Sequence, residues 1–278
     1  MTRPVVPPRA SPGRGYAPRV LAIPALLGVA FLVLPLAALV GRVQWSTLWQ
    51  DITSTAALSA LRLSVLTGLA ATAICLVIGI PLALLIARSA PRTAALLRAV
   101  VTVPLVLPPM VGGLSLLFLF GRSGWLGWTG WQVPFTTVAV VLAQTFVALP
   151  FLVLALEGAI RTSGLDYERT AAGLGAGSWT ILWRVTLPLA APGLLSGTVL
   201  CFARAAGEFG ATALFAGNAP GVTQTMPLAI YTAFNGAGVS QGSAIALSLM
   251  LLVTSVAVLL LVRGWRPGRA AAAPEELR

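Results

Sequence analysis

Long runs of apolar residues alternate with short polar segments along the chain. Each run is long enough to supply the roughly 20 helical residues that cross about 30 Å of hydrocarbon. None shows the alternation of polar and apolar residues typical of strands in a membrane barrel, and a helix satisfies its own backbone hydrogen bonds in lipid. The pattern predicts an all-α polytopic membrane protein with six transmembrane helices. The predicted spans cover approximately residues 20–40, 63–87, 99–120, 134–157, 189–207 and 241–262.

The composition supports the membrane assignment and removes most catalytic chemistry. Of the 278 residues, 58% are hydrophobic and 9% are charged, whereas a soluble domain is about a quarter charged. The sequence has no histidine, so the commonest metal ligand and general base are missing. The two cysteines, Cys75 and Cys201, lie in apolar runs, and we expect free buried thiols rather than a disulfide. An integral-membrane enzyme is therefore disfavoured, and no cofactor or metal is expected.

The distribution of arginine predicts how the spans are oriented. The net charge is +11 and every basic residue is arginine, a balance that can indicate nucleic-acid binding. Here, however, the arginines concentrate before residue 20, at 88–98, at 158–188 and after residue 262, whereas the loop at 209–240 has none. Because cytoplasmic loops carry the excess of basic residues, both termini are predicted to be cytoplasmic. No nucleic-acid partner is expected.

The chain divides into three predicted segments. Residues 1–19, rich in proline and arginine, are predicted to be a disordered cytoplasmic tail. Residues 20–263 are predicted to form the transmembrane domain, and residues 264–278 a second cytoplasmic tail. The first apolar run exceeds the length of a signal-peptide core and lacks a convincing cleavage site, so we expect it to be a retained span. The predicted location is a cell membrane, which the chain crosses several times.

The loop at 158–188 is polar and rich in turns, although it joins two apolar runs. Ser163 and Asp166 have the spacing of a capping box, which predicts that a helix starts there. We expect this helix to run to Leu174 and to end at Gly175 in the left-handed conformation.

A second short helix is predicted in the same loop. Ser178 is expected to cap it and Pro188 to stop it. Trp179, Leu182 and Trp183 fall on one face of this helix, and indole side chains favour the membrane interface. The pattern leaves two interpretations open: a helix pair that anchors the bundle at the interface, or a projection that fits a groove on a cytoplasmic partner.

The same stretch resembles the EAA loop of the permease subunits of ABC importers. That pattern is Glu-Ala-Ala, three residues, Gly, nine residues, Ile, one residue and Leu-Pro; here Gly175 is followed at that distance by Val185 and then by Leu187-Pro188. The first part departs from the pattern, since Arg169-Thr170-Ala171 replaces Glu-Ala-Ala and Glu168 stands one place early. The resemblance implies a type I ABC importer permease fold in which residues 158–188 couple the spans to an ATPase subunit. The coupling residues that it implies are Glu168, Arg169, Ala171, Ala172, Gly175, Leu187 and Pro188.

Two further stretches resemble the permeases of oxyanion importers, especially those for molybdate. They are PLVLPPMVGGLSLLFLFGRSGWLG (104–127) and ARAAGEFGATALFAGNAPGVTQTMPLAIY (203–231). The Gly-Glu-aromatic-Gly and Ala-Gly-Asn parts also occur in sulfate permeases, so a sulfate or thiosulfate permease is the alternative. The resemblance implies a translocation path for molybdate, with tungstate as a further candidate. It also implies a homodimer, two cytoplasmic ATP-binding subunits and an extracytoplasmic oxyanion-binding protein.

Two ionisable residues near the end of the fifth span are candidates for the translocation path. Arg204 and Glu208 are four residues apart, so they can pair on one helix face. Charges in membrane segments are costly and indicate function by default, but a purely structural ion pair is an equal alternative. Gln224 in the following external loop is a candidate outer polar contact, and that loop is expected to hold a short re-entrant helix.

Prolines in the second and third spans are expected to distort their helices. Pro81 lies in the second span, and Pro104, Pro108 and Pro109 lie in the third. A proline removes a backbone donor and kinks a helix, and kinked spans can surround a cavity.

Energy considerations favour a pump component over a passive channel. Moving a doubly charged anion into a negative interior costs about 4–5 kcal/mol at roughly 100 mV, so an open pore would lose the anion. The chain contains no Gly-x-x-x-x-Gly-Lys-Ser/Thr motif and no lysine, and that motif is the ATP-binding P-loop. The chain is therefore predicted not to be an enzyme itself, and ATP hydrolysis is expected in a partner subunit.

Overall fold

A computed structural model describes residues 19–236 and 241–264 of the chain. Within these ranges every regular element is helical, which confirms the predicted all-α class. The two predicted tails fall almost entirely on residues 1–18 and 265–278, which lie outside the described residues. The helices are α1 (Ala22–Gly41), α2 (Leu48–Ile52), α3 (Thr55–Arg88), α4 (Pro91–Val106), α5 (Pro109–Phe120), α6 (Thr137–Ser163), α7 (Asp166–Gly173), α8 (Ser178–Ile181), α9 (Leu187–Ala206), α10 (Gly210–Phe215), α11 (Met226–Phe234) and α12 (Gln241–Gly264).

The chain separates into two units, residues 1–43 and 44–278. In the first unit a short 3-10 turn, Arg19–Leu21, leads into α1. None of the α1 side chains is buried. A 20-residue helix made almost wholly of apolar side chains, most of them exposed, is typical of a membrane span.

In the second unit α6 is the central helix and packs mainly against α9 and α3. Glycines make the close approach possible. A methyl group on Gly197 of α9 would lie 3.0 Å from the Ala155 Cβ of α6, and one on Gly79 of α3 would lie 3.0 Å from a Leu152 methyl. Gly193 and Gly197 form a Gly-x-x-x-Gly pair, a motif that lets membrane helices pack closely.

The third predicted span is a bent pair of helices, because prolines break it. Leu107, which precedes Pro108, is extended, as expected for a residue before proline. Pro109 is then the first residue of α5, a position where no backbone donor is needed. The axes of α4 and α5 differ by 110°, so the predicted kink in this span is confirmed.

In the second span, by contrast, proline does not break the helix. The α3 helix continues through Pro81 from Thr55 to Arg88 without a break. A break of the helix at Pro81, the strongest form of the expected distortion, is therefore wrong. Long apolar helices tolerate single prolines where neighbouring groups satisfy the freed carbonyl.

The number of spans agrees only approximately with the prediction of six. Four helical segments among the described residues are long and apolar enough to cross a membrane: Ala22–Gly41, Thr55–Arg88, Thr137–Ser163 and Ser178–Ala206. The bent α4–α5 pair would be a fifth, and a shorter apolar stretch, Gly242–Ala257, lies where the sixth was predicted. Multi-pass membrane architecture is thus supported, although a count of six continuous helices is not.

Candidate functional site

The 158–188 loop is built from two short helices and two glycine turns. Gly164 and Gly175 have φ angles of +70° and +85°, in the range that favours glycine over other residues. The prediction that Gly175 adopts the left-handed conformation is confirmed. Its N–H donates to the Ala172 carbonyl at 2.9 Å, and the Ala176 N–H donates to the Ala171 carbonyl at 3.0 Å. These bonds satisfy carbonyls at the end of α7.

Three details of this loop differ from the sequence prediction. Ser163 belongs to the end of α6, and its hydroxyl donates to the Ala159 carbonyl, so it does not cap α7. Ser178 is the first residue of α8, and the cap position is held by Gly177. Pro188 does not stop a helix, since a π-helical turn at Leu182–Thr186 joins α8 to α9. Pro188 is the second residue of α9 and follows this π turn directly.

Glu168 links α7 to two other elements. Its Oε1 atom accepts a hydrogen bond from Arg88 Nη2 in the last turn of α3, and the two side chains form an ion pair. The same oxygen accepts a hydrogen bond of 2.7 Å from the hydroxyl of Thr186 at the end of the π turn. With 18% of its side chain exposed, Glu168 faces inward from α7.

The other coupling residues implied by the resemblance are divided between two environments. Arg169, Ala172 and Gly175 are exposed. Ala171 is half-buried, Leu187 is buried and Pro188 is exposed at the start of α9. Only some of the implied coupling residues are therefore exposed on the surface of this chain, where a partner protein could contact them.

Leu174 is an exposed residue that sequence reasoning did not assign to the site. Its exposed fraction is 85%, and it follows directly after α7, in which Tyr167 is 66% exposed. A large apolar side chain between two glycines at the tip of a polar loop was the available signal.

A cavity of about 580 Å³ lies between the α3–α4 turn and the α6–α7 turn. Four arginines line it: Arg88, Arg98, Arg161 and Arg169. The Glu157 side chain is 5% exposed. Its Oε2 atom accepts a hydrogen bond of 3.1 Å from Arg98 Nε, and its Oε1 atom lies 3.5 Å from Arg161 Nη1. A buried carboxylate is tolerated because it is paired in this way.

The second candidate constellation lies where α9 ends. Arg204 Nη1 is 2.7 Å from Glu208 Oε2, so the predicted pairing is confirmed. The other carboxylate oxygen of Glu208 accepts a hydrogen bond of 2.8 Å from the backbone N–H of Ala211 in α10. Glu208 is 1% exposed and Arg204 is 28% exposed. The carboxylate therefore connects the broken end of α9 to the next short helix.

The bend between α4 and α5 lies beside this constellation. A methyl group on Gly210 would lie 3.0 Å from Pro109 Cβ and 3.3 Å from the backbone nitrogen of Met110. A methyl group on Gly113 of α5 would lie 2.7 Å from the Ala211 carbonyl oxygen. Glycine thus allows the start of α5 to lie directly against α10.

Several buried polar groups in this part of the protein have no hydrogen-bond partner. Within the described residues, the groups without a hydrogen-bond partner include both polar atoms of the Gln144 amide on α6 and the hydroxyls of Thr212 and Thr225. A buried polar group without a partner costs about 1–3 kcal/mol. Such groups are available to a water molecule or a polar solute.

Gln224 lies in a different set of contacts from Arg204 and Glu208. Its Nε2 donates to Asn218 Oδ1 at 3.0 Å, and Asn218 Nδ2 donates to the Thr232 hydroxyl at 2.7 Å. This region contains two short helices, α10 and α11, where one short re-entrant helix was predicted. Across residues 19–236 and 241–264 no group of three or more His, Cys, Asp or Glu side chains is arranged to hold a metal ion.

Comparison with known proteins identifies the family. The sequence profile of the family described as "Binding-protein-dependent transport system inner membrane component" matches residues 79–268. The molybdenum transport system permease protein ModB of Mycobacterium tuberculosis is 50% identical over 247 residues, which cover 87% of this chain and 92% of that protein. The sulfate transport system permease protein CysW of Synechocystis is 36% identical over 204 residues, covering 71% of this chain and 74% of that protein.

A solved structure supports the fold. The bacterial ABC transporter that imports the acidic polysaccharide alginate matches with a TM-score of 0.64 at 16% identity, covering 88% of this chain and 93% of the matched chain. At this identity the likeness concerns the fold alone. It confirms the predicted importer permease fold. The family match and the permease relatives confirm the non-enzymatic role predicted for the chain. The chain belongs to the family of binding-protein-dependent transport system inner membrane components.

Proposed function

We propose that this chain is the membrane-spanning permease subunit of an ATP-driven importer and forms the translocation path for molybdate. The observation that carries the proposal is 50% identity over 92% of a molybdenum permease, against 36% for a sulfate permease. Both identities are high enough for a shared architecture, and the difference favours molybdate. Tungstate, an oxyanion of the same charge and shape, belongs to the proposed substrate class.

The proposal includes the partners that the chain needs. Two ATP-binding subunits supply the energy, because this sequence contains no P-loop. An extracytoplasmic oxyanion-binding protein delivers the substrate, in agreement with the binding-protein-dependent family. Two copies of this chain form a homodimer with the path between them.

The proposed orientation puts both termini and the 158–188 loop in the cytoplasm. It rests on the arginine-rich segments at 88–98 and 158–188 and the arginine-free segment at 209–240. In this orientation the exposed side chains of Arg169, Ala172 and Leu174 face the ATPase.

Docking of α7 on the ATPase can be tested by cross-linking. A cysteine at position 172 in the assembled complex should cross-link to the ATPase subunit, since Ala172 is exposed on α7. The native Cys75 and Cys201 are fully buried and should not react. A cysteine in place of Trp128, which is 84% exposed in the α5–α6 connection, is the control and should never capture the ATPase. If the position 172 variant captures no ATPase while molybdate still accumulates, the coupling role of this loop is wrong.

Arg204, Glu208 and Gln224 are the proposed polar contacts of the path. Arg204 offsets the charge of a passing oxyanion, as arginines do in anion-selective pores, and Glu208 orients the guanidinium through the 2.7 Å ion pair. Uptake should fall in Arg204→Gln and should not recover when Glu208→Gln is added. Full recovery in the double variant would leave Arg204 and Glu208 only a pairing role.

The substrate assignment is tested with the reconstituted complex. Permease, ATPase and binding protein are assembled in proteoliposomes, and ATP hydrolysis and uptake are measured with molybdate, tungstate and sulfate. Molybdate and tungstate should stimulate both activities at concentrations where sulfate does not. Stimulation by sulfate or thiosulfate alone would assign the chain to the alternative, and anion conduction without ATP or partners would identify a passive channel.

A further inference from the structure

We propose that Glu168 is a positioning residue that transmits the movement of α7 to two membrane helices at once. The contact set formed by Arg88, Glu168 and Thr186 is called the Glu168 junction below. This inference rests on the proposed function, because it takes α7 as the element that the ATPase moves. It differs from a direct contact with the ATPase, because it assigns the Glu168 carboxylate to contacts within this chain.

The contacts of Glu168 point away from a partner. One carboxylate oxygen accepts hydrogen bonds from both the Arg88 guanidinium and the Thr186 hydroxyl. The side chain is 18% exposed, and that of Arg88 is 32% exposed. A hydrogen bond between charged groups is roughly twice as strong as one between neutral groups, and partial burial protects this ion pair from screening by salt.

The chain does not join α7 directly to α3, so a direct link between these helices requires a side-chain contact. Arg88 and Glu168 are 80 residues apart in sequence, and α4, α5 and α6 lie between them along the chain. The backbone bonds that flank α7 are permissive, since Gly164 and Gly175 both have positive φ angles and glycine adopts many conformations. The ion pair between Arg88 and Glu168 is the one described salt bridge between α7 and α3.

The Thr186 contact links α7 to α9 by a second route. Thr186 is the last residue of the π turn, immediately before α9 begins. Single π turns inside helices are frequent at functional sites. Both α3 and α9 pack directly on the central helix α6. A displacement of Glu168 therefore acts on the two neighbours of α6 together.

The test compares molybdate imported per ATP hydrolysed in the reconstituted complex. Glu168→Gln and Arg88→Gln should each lower this ratio about 5- to 150-fold, the range of ordinary coupling between sites, while ATP hydrolysis continues. Thr186→Val should lower the ratio less, because it removes the α9 link alone. The charge exchange Arg88→Glu with Glu168→Arg should restore at least half of the ratio, because it rebuilds the ion pair.

Arg92→Gln is the matched control. It also removes one arginine near the α3–α4 turn, but Arg92 is exposed and takes part in none of the ion pairs within the described ranges. The amount of molybdate that Arg92→Gln imports per ATP hydrolysed should equal that of the unchanged protein. Co-purification of the ATPase with every variant shows that assembly is intact, so a lower ratio reports coupling rather than folding.

The outcomes separate the junction from the proposed function. If the unchanged complex imports no molybdate, the proposed function is wrong. If the unchanged complex couples import to hydrolysis and the Glu168 and Arg88 variants do so equally well, the junction is wrong. Loss of ATPase binding in Glu168→Gln, with normal binding in Arg88→Gln, would also overturn it, because Glu168 would then be a docking contact.

Discussion

The Arg204–Glu208 pair leads to a prediction about stability that depends on the unequal burial of its two partners. Glu208 is 1% exposed, whereas Arg204 is 28% exposed. We expect Arg204→Gln to be much more destabilising than Glu208→Gln. The reason is that each substitution leaves the other partner behind, and only Arg204 can reach water.

The magnitudes follow from what each variant leaves unpaired. In Arg204→Gln a buried carboxylate keeps one hydrogen bond, from the Ala211 N–H at 2.8 Å, and breaking a buried ion pair in this way costs about 3–5 kcal/mol. In Glu208→Gln the new amide oxygen can still accept from Ala211, and the guanidinium is partly hydrated, so the loss is about 1–2 kcal/mol. The expected difference between the single variants is therefore about 2 kcal/mol. The double variant should be more stable than Arg204→Gln, because no charge is left buried.

The free energy of unfolding can be measured by SDS titration of the purified protein in mixed micelles, with helix content followed by circular dichroism. The control is Arg62→Gln, since Arg62 is an exposed arginine of α3 and should change stability by less than about 0.5 kcal/mol. Equal losses in the two single variants would refute the reasoning from burial. Strict additivity in the double variant would show that the pair has no coupling energy.

Three further changes test other parts of the structure. Gly197→Leu should destabilise the protein by about 1–3 kcal/mol, because even a methyl group there would lie 3.0 Å from Ala155 Cβ; Gly158→Leu, at an open position of α6, should show no such loss in the same SDS titration. Gly175→Ala should cost about 1–2 kcal/mol because φ is +85°, and limited proteolysis should cut the 158–188 loop faster than in the unchanged protein. Glu157→Gln should lower the free energy of unfolding by about 1–3 kcal/mol, since this 5% exposed carboxylate forms ion pairs with Arg98 and Arg161. An unchanged free energy of unfolding would mean that these ion pairs contribute nothing to stability.

The sequence by itself determined the class of the fold, most of the spans and the positions where the chain turns. Runs of apolar residues and the absence of alternation are sufficient for helical spans, because every backbone group must be satisfied locally in lipid. Pro108 and Pro109 predicted the break in the third span, and Gly175 predicted the left-handed end of α7. These signals are local, since proline and glycine act on the backbone dihedral angles of their own and neighbouring residues. The Arg204–Glu208 pair could also be predicted, because its partners are four residues apart.

Only the tertiary structure decided what the remaining polar side chains contact. Glu168 pairs with Arg88 at a separation of 80 residues, and Glu157 pairs with Arg98 at 59 residues. Nothing in their local spacing indicates these partners. Local pattern even misled at Ser163, which has the spacing of a cap but donates to Ala159 within α6. The physical reason is that a local pattern governs backbone conformation, whereas these ion pairs require helices that are distant in sequence to meet. That meeting depends on how the helices pack around α6.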